Sequence, residues 1–235
     1  MTKKVLLKLH LWLSLPLGVI IMLICLSGAT LVFKNEIRNA LEMPKVIAPH
    51  AKSVKVAYSV KAGDEERVGK TIGKFSSKDA PYGTTTKRDY FSYVTKFHTS
   101  LRMEPVGKLI ITYTTLLFIF ILISGIFVLL PKDRKQLCQR FKVEWSKGSR
   151  RRLFDLHVSL GWWALLWLLL LSVTGLGFGL KLVPKGTELM RLFHELHIGS
   201  WGGMLTKIIT FVVSLIGASL PITGYLLYFR RRCKA

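Results

Sequence analysis

The chain has 235 residues, half of them hydrophobic, and carries 35 Lys and Arg against 13 Asp and Glu, a formal charge of +22 at pH 7. So basic a balance suggests a nucleic-acid partner. The distribution argues against one, because the apolar residues gather into four long runs and the basic residues sit between and around them.

A bilayer core needs roughly 20 apolar residues per helix, and the runs at about 11–33, 109–130, 158–180 and 208–229 all reach that length. With no water in the hydrocarbon, backbone groups must bond within each segment, so the runs are expected to be helices. The reading is an all-α integral membrane protein. In chain order it has a first transmembrane helix in 1–34, an outer loop in 35–104, a second helix in 105–131 and a basic loop in 132–154. A third helix in 155–181, a short outer loop in 182–203 and a fourth helix with a basic tail in 204–235 complete it. The first run follows "MTKK" and has "SGA" near its end, as a secretory signal would. Its apolar stretch exceeds the roughly 7–15 residues of a signal core and recurs later in the chain, so it is read as a retained helix.

Segments 1–8, 132–152 and 230–235 together hold 16 Lys and Arg in 35 residues. Lys and Arg in short loops beside spans stay in the cytoplasm. Both termini and the 132–154 loop are therefore expected there, with 35–104 and 182–203 outside. Cys25 falls inside a span, and Cys138 and Cys233 fall on the cytoplasmic side, so no disulfide outside the membrane is implied. No C-x-x-C-H attaches a c-type haem.

The spans repeat. An offset of 147 carries Leu9, His10, Leu13, Ser27, Gly28 and Lys34 onto Leu156, His157, Leu160, Thr174, Gly175 and Lys181. Without a gap, an offset of 99 carries His98, Lys108, Ser124 and Gly125 onto His197, Lys207, Thr223 and Gly224. Two tandem two-helix units of the same topology imply a pseudo-twofold axis along the membrane normal. His10 and His157 are then expected to meet at the inner rim, and His98 and His197 at the outer rim.

His10 to Gly28 and His157 to Gly175 are each eighteen residues, about five turns, so each histidine shares a helix face with its glycine. One histidine at a span's edge has an ordinary explanation in water or headgroups. Four in two related pairs point to a function, since ionisable groups at membrane depth are costly. No Asp or Glu lies within the apolar runs to complete a proton relay, and zinc takes four ligands, or three and a water. Two imidazoles suit the axial positions of a haem iron. Gly28 and Gly175 stand beside the outer pair and Gly125 and Gly224 nearer the inner one, where they would let a porphyrin edge approach. Small-residue helix contacts are the other reading of these glycines, and the two are compatible. Ser27, Ser124, Thr174 and Thr223 can bond a helix carbonyl or a propionate. Trp12, Trp162, Trp163 and Trp167 are read as interfacial or as pocket lining. His194, three residues before His197, is an alternative outer ligand. His50 is read as solvated.

The motifs "KLHLWLSL…LSG", "FHTSL…GK…ISG", "DLHVSLGWW…VTG" and "LHIGSWGG…ITGYLLYFRRR" resemble the PepSY-associated transmembrane-helix family of bacterial inner membranes, which includes siderophore-iron reductases. The resemblance covers all four spans. It implies two b-type haems held by His10, His157, His98 and His197, and electron delivery to a ferric chelate or siderophore in the periplasm. Larger relatives hold clear PepSY domains in the outer loop. Here that loop shows only strand-like stretches such as "SVKVAYSV" and is read as a small or degenerate version.

The expected activity is haem-dependent electron transfer across the membrane, as a ferric-iron or ferric-siderophore reductase. The donor is a quinol or a cytoplasmic flavin or NAD(P)H reductase, since no G-x-G-x-x-G follows a strand and the chain shows no NAD or flavin site of its own. Two other readings stay open: a cytochrome b subunit exchanging electrons with the quinone pool for a partner, and a non-redox protein of metal-uptake assembly or transport.

Overall fold

The computed structural model describes residues 3–41, 57–62, 65–70, 90–130 and 134–232. Two compact units emerge, residues 38–89 and the remainder. In the smaller unit β1 (Ala57–Ala62) pairs antiparallel with β2 (Glu65–Lys70), with Ala57 opposite Lys70 and Ala62 opposite Glu65. β1 contains the end of the expected "SVKVAYSV" stretch. His50 and Cys233 lie outside the described residues.

The larger unit is all-α. Its helices α1 (Lys3–Val32), α4 (Val106–Leu129), α6 (Ser149–Gly179) and α8 (Gly203–Arg232) are each long and apolar enough to cross a bilayer, and the chain is a multi-pass membrane protein. Shorter helices flank them: α2 (Lys34–Ala40), α3 (Tyr90–Ser100), α5 (Arg134–Arg140) and α7 (Glu188–Ile198). Pro16 and Pro221 are both accommodated inside continuous helices.

α6 starts at Ser149, six residues before the expected 155, and Asp155 is buried within it. Asp155 receives Arg151 Nε at 3.0 Å one turn back and the Glu144 N–H at 3.4 Å. An acid paired at i,i+4 and hydrogen-bonded again is tolerated where a lone carboxylate would not be. Hydropathy alone carries no trace of that pairing.

α1 packs on α4 and α8, and α6 packs on the same two helices, so α1 and α6 stand on one diagonal of the bundle. Leu122 of α4, Ala164 and Leu168 of α6 and Val213 of α8 form a buried core cluster. Large apolar side chains also cover the outside: Leu166 is 79% exposed and Trp12 78%, an arrangement that suits hydrocarbon solvent. Close helix contact rests on small residues. A Cβ on Gly217 would lie 2.9 Å from Leu168 Cδ2 and 3.1 Å from Cys25 Sγ, so α8 meets α6 and α1 there. Gly18 likewise leaves room for the Tyr225 hydroxyl, which donates to Leu15 O at 2.5 Å.

The turns that lead α3 into α4 and α7 into α8 fix the second pair of histidines. In the first, a Cβ on Gly107 would stand 1.8 Å from the Ser100 carbonyl oxygen, so the approach exists only because that atom is missing. The repeat-related residues are Thr206 and Gly199, and there the glycine has changed sides. Gly199 adopts φ +73°, the left-handed cap that favours glycine, and Thr206 Oγ1 donates to its carbonyl at 2.5 Å.

Candidate functional site

Two cavities lie inside the bundle, and each is lined by two of the sequence-selected histidines. The first, about 530 Å³, holds His10 of α1 and His157 of α6. The second, about 310 Å³, holds His98 of α3 and His197 of α7. In the second the two imidazole centres are 6.3 Å apart, with planes at 56°. Ile21 and Phe118 line both cavities and form the apolar wall between them.

Every one of the four imidazoles makes the same kind of contact. His10 Nδ1 meets Ser124 Oγ at 2.9 Å and Ile121 O at 3.2 Å. His157 Nδ1 meets Thr223 Oγ1 at 2.8 Å, with a backbone hydrogen bond to Leu220. His98 Nδ1 meets Ser27 Oγ and Ile24 O, both at 3.0 Å. His197 Nδ1 meets Thr174 Oγ1 at 2.9 Å, with a backbone hydrogen bond to Leu171. These partners are themselves repeat-related positions.

Proton placement follows from the hydroxyls. Each has a single proton, and each gives it to a carbonyl of its own helix: Ser27 to Leu23 O at 2.8 Å, Ser124 to Ile121 O at 2.8 Å, Thr174 to Leu170 O at 2.8 Å and Thr223 to Leu220 O at 2.9 Å. The oxygen can then only accept from the imidazole, which assigns the ring proton to Nδ1. The lone pair is left on Nε2, the tautomer that a metal-binding histidine needs when its other nitrogen bonds a carbonyl or hydroxyl.

The glycines receive the imidazoles themselves. A Cβ on Gly28 or Gly175 would come within 3.1 Å of Cε1 of His98 or His197, and one on Gly125 or Gly224 within 3.6 or 3.7 Å of Cε1 of His10 or His157. Sequence reasoning left these glycines as porphyrin clearance or helix contacts; the structure shows ring against backbone, with the neighbouring Ser or Thr on Nδ1. His194 is exposed on α7 and does not line the second cavity, which takes His197. Trp12 and Trp163 face outward, Trp162 lines the first cavity, and Trp167 donates to Thr210 Oγ1 at 2.9 Å and stacks on Trp201.

The second pair sits on helices outside the spans, and its electrostatics are set by dehydration. Burial pushes the His197 imidazole down to about 3, with the neighbouring His98 and His194 adding to the effect. Burial lowers His98 as well, against the Ile24 carbonyl. Both rings are therefore neutral near pH 7.

Hydropathy did not single out three cations of the bundle. Lys207 is tied to Glu36 at the start of α2, and this contact holds the Glu36 carboxyl below the usual range. Its repeat partner Lys108 instead lines the second cavity, and Arg140 of α5 lines the first. The alignment of Lys108 with Lys207 was the available signal; Arg140 gave none, lying in a loop full of cations.

Fold and site together define a multi-pass membrane protein whose four-helix bundle encloses paired imidazoles. The model of the PepSY-associated TM region family matches residues 7–187 and 180–231, and the chain belongs to that family. No curated protein matches it.

Proposed function

We propose that this protein is a transmembrane electron carrier that binds two b-type haems, one between His10 and His157 and one between His98 and His197, and reduces a ferric chelate outside the cytoplasmic membrane. The observation that carries the reading is the pairing of imidazoles across each cavity. A metal–imidazole bond of about 2 Å on each side, plus about 1 Å from nitrogen to ring centre, requires centres roughly 6 Å apart for one shared metal atom. The 6.3 Å separation of His98 and His197 fits. Among the described residues no three His, Cys, Asp or Glu side chains converge, and a donor pair suits a metal whose remaining positions a planar macrocycle fills.

Bound there, haem supplies a one-electron iron couple whose potential follows its axial ligands, hydrogen bonding and burial. The chain's own residues do the rest. Ser27, Ser124, Thr174 and Thr223 hold each imidazole by Nδ1 and direct Nε2 away from the helix. Leu, Ile, Val and Phe side chains keep both cavities largely apolar, and Ile21 and Phe118 stand between them. The distribution of Lys and Arg in the sequence supports an outermost second site. There the loop 34–104, with 14 basic and 8 acidic residues, would draw in an anionic chelate.

Purified protein tests this directly. Two low-spin bis-histidine haems per chain that reduce with dithionite and reoxidise with a ferric chelate are expected. A colourless protein from haem-sufficient cells refutes it.

A further inference from the structure

We infer that Arg140 and Trp162 form a carboxylate-binding part of the first cavity, which holds the acidic side chains of the tetrapyrrole. The inference rests on the haem reading and adds what orients the cofactor.

Among the described residues lining this cavity, Arg140 is the one permanent cation, and no carboxylate accompanies it. Its guanidinium lies 5.9 Å over the Phe154 ring, and no ion pair to it occurs among the described residues. A cation facing an apolar cavity without a counter-charge is costly unless the occupant brings one.

Trp162 gives the second, independent sign. Its Nε1 is buried and has no hydrogen-bond partner among the described residues, and an indole N–H can only donate. A buried donor of this kind calls for an acceptor that belongs to the occupant.

Local packing brings the two groups to one part of the cavity. Ser159 Oγ donates to Phe141 O at 2.9 Å, and the Phe141 ring packs 5.8 Å from Trp162. The residue following Arg140 is thereby fixed on the turn of α6 that carries Trp162. A guanidinium and an N–H on the wall of an otherwise apolar, histidine-paired cavity match an amphiphilic ring with acidic groups along one edge. The second cavity has its own single cation, Lys108, at the opposite end of the bundle.

The test compares haemin with its dimethyl ester, which keeps iron and ring but removes both negative charges. A His98→Ala/His197→Ala background leaves the first cavity as the single paired site, and affinity is read by Soret titration in neutral detergent. The parent should favour the diacid by roughly 10- to 100-fold, as charge-assisted hydrogen bonds would. Arg140→Gln should erase most of that preference, Arg140→Lys should retain part of it, and Trp162→Phe should reduce it severalfold with the ring still in place. Unchanged discrimination in Arg140→Gln overturns the inference and leaves Arg140 to lipid phosphates, and unchanged discrimination in Trp162→Phe overturns the part given to Trp162. Failure of the parent to take up either compound overturns the haem reading instead.

Discussion

Gly107→Ala is the sharpest structural perturbation available. The added methyl carbon would stand 1.8 Å from the Ser100 carbonyl oxygen and 2.7 Å from the Ser100 carbonyl carbon. Carbon and oxygen need about 3.3 Å or more, so backbone, not a flexible side chain, must move by roughly 1.5 Å. Overpacking of that kind costs about 1–3 kcal/mol or more. The displaced chain is the end of α3, two residues beyond His98, and a site constellation tolerates only about 0.5 Å of misplacement. The variant should melt earlier than the parent and lose one of two haems, the one that His98→Ala also removes, with the His10/His157 site intact. Thermal unfolding followed by the absorption spectrum reads both effects. A stability within about 0.5 kcal/mol of the parent, with both haems retained, would refute the close-approach argument.

Other outcomes follow from the same contacts. Ser27→Ala leaves His98 Nδ1 with the Ile24 carbonyl alone, so haem affinity at that site should fall by about tenfold, the lower end for losing an outer partner of a metal ligand; haem dissociation rates check this. Thr174→Val should have a comparable effect at His197, and neither change should alter the other cavity. In haem-free protein, the depressed His197 means that the unfolded state binds a proton before the folded one does. Its contribution to stability is thus retained above about 6.5 and lost as pH falls from there toward about 3. Acid melts of the wild type against His197→Gln should converge over that interval; parallel curves would contradict it.

Much of the fold was legible because lipid demands long apolar helices, and hydropathy reads that demand without ambiguity. The histidines and the Ser/Thr-Gly pairs were visible through their repeat spacing. Depth along the spans already set Gly28 and Gly175 beside the outer pair and Gly125 and Gly224 nearer the inner one; which ring rests on which glycine was hidden, since it depends on which helix faces which. Gly125 and Gly224 meet His10 and His157 from other helices, and no spacing within one helix could show that. The α3–α4 turn stayed hidden because its glycine and its bulky partner exchange places between the two halves, Gly107 with Ser100 and Gly199 with Thr206. The burial of Asp155 was not legible because it depends on pairing with Arg151, one turn earlier among the charges that precede the apolar run. The offset of 99 already aligned His197, not His194, with His98; helix phase could not separate two residues three apart, and α7 turns the His197 ring into the cavity and leaves His194 exposed.

The central claim is that each cavity closes two imidazoles on one iron. The most direct measurement is haem content per purified chain, by pyridine haemochrome, for the wild type and the four single His→Ala variants. Two haems in the wild type are expected, with His10→Ala and His157→Ala losing one and the same species, and His98→Ala and His197→Ala losing the other. Variants of one cavity that remove different haems, or a chain that binds none, would contradict it.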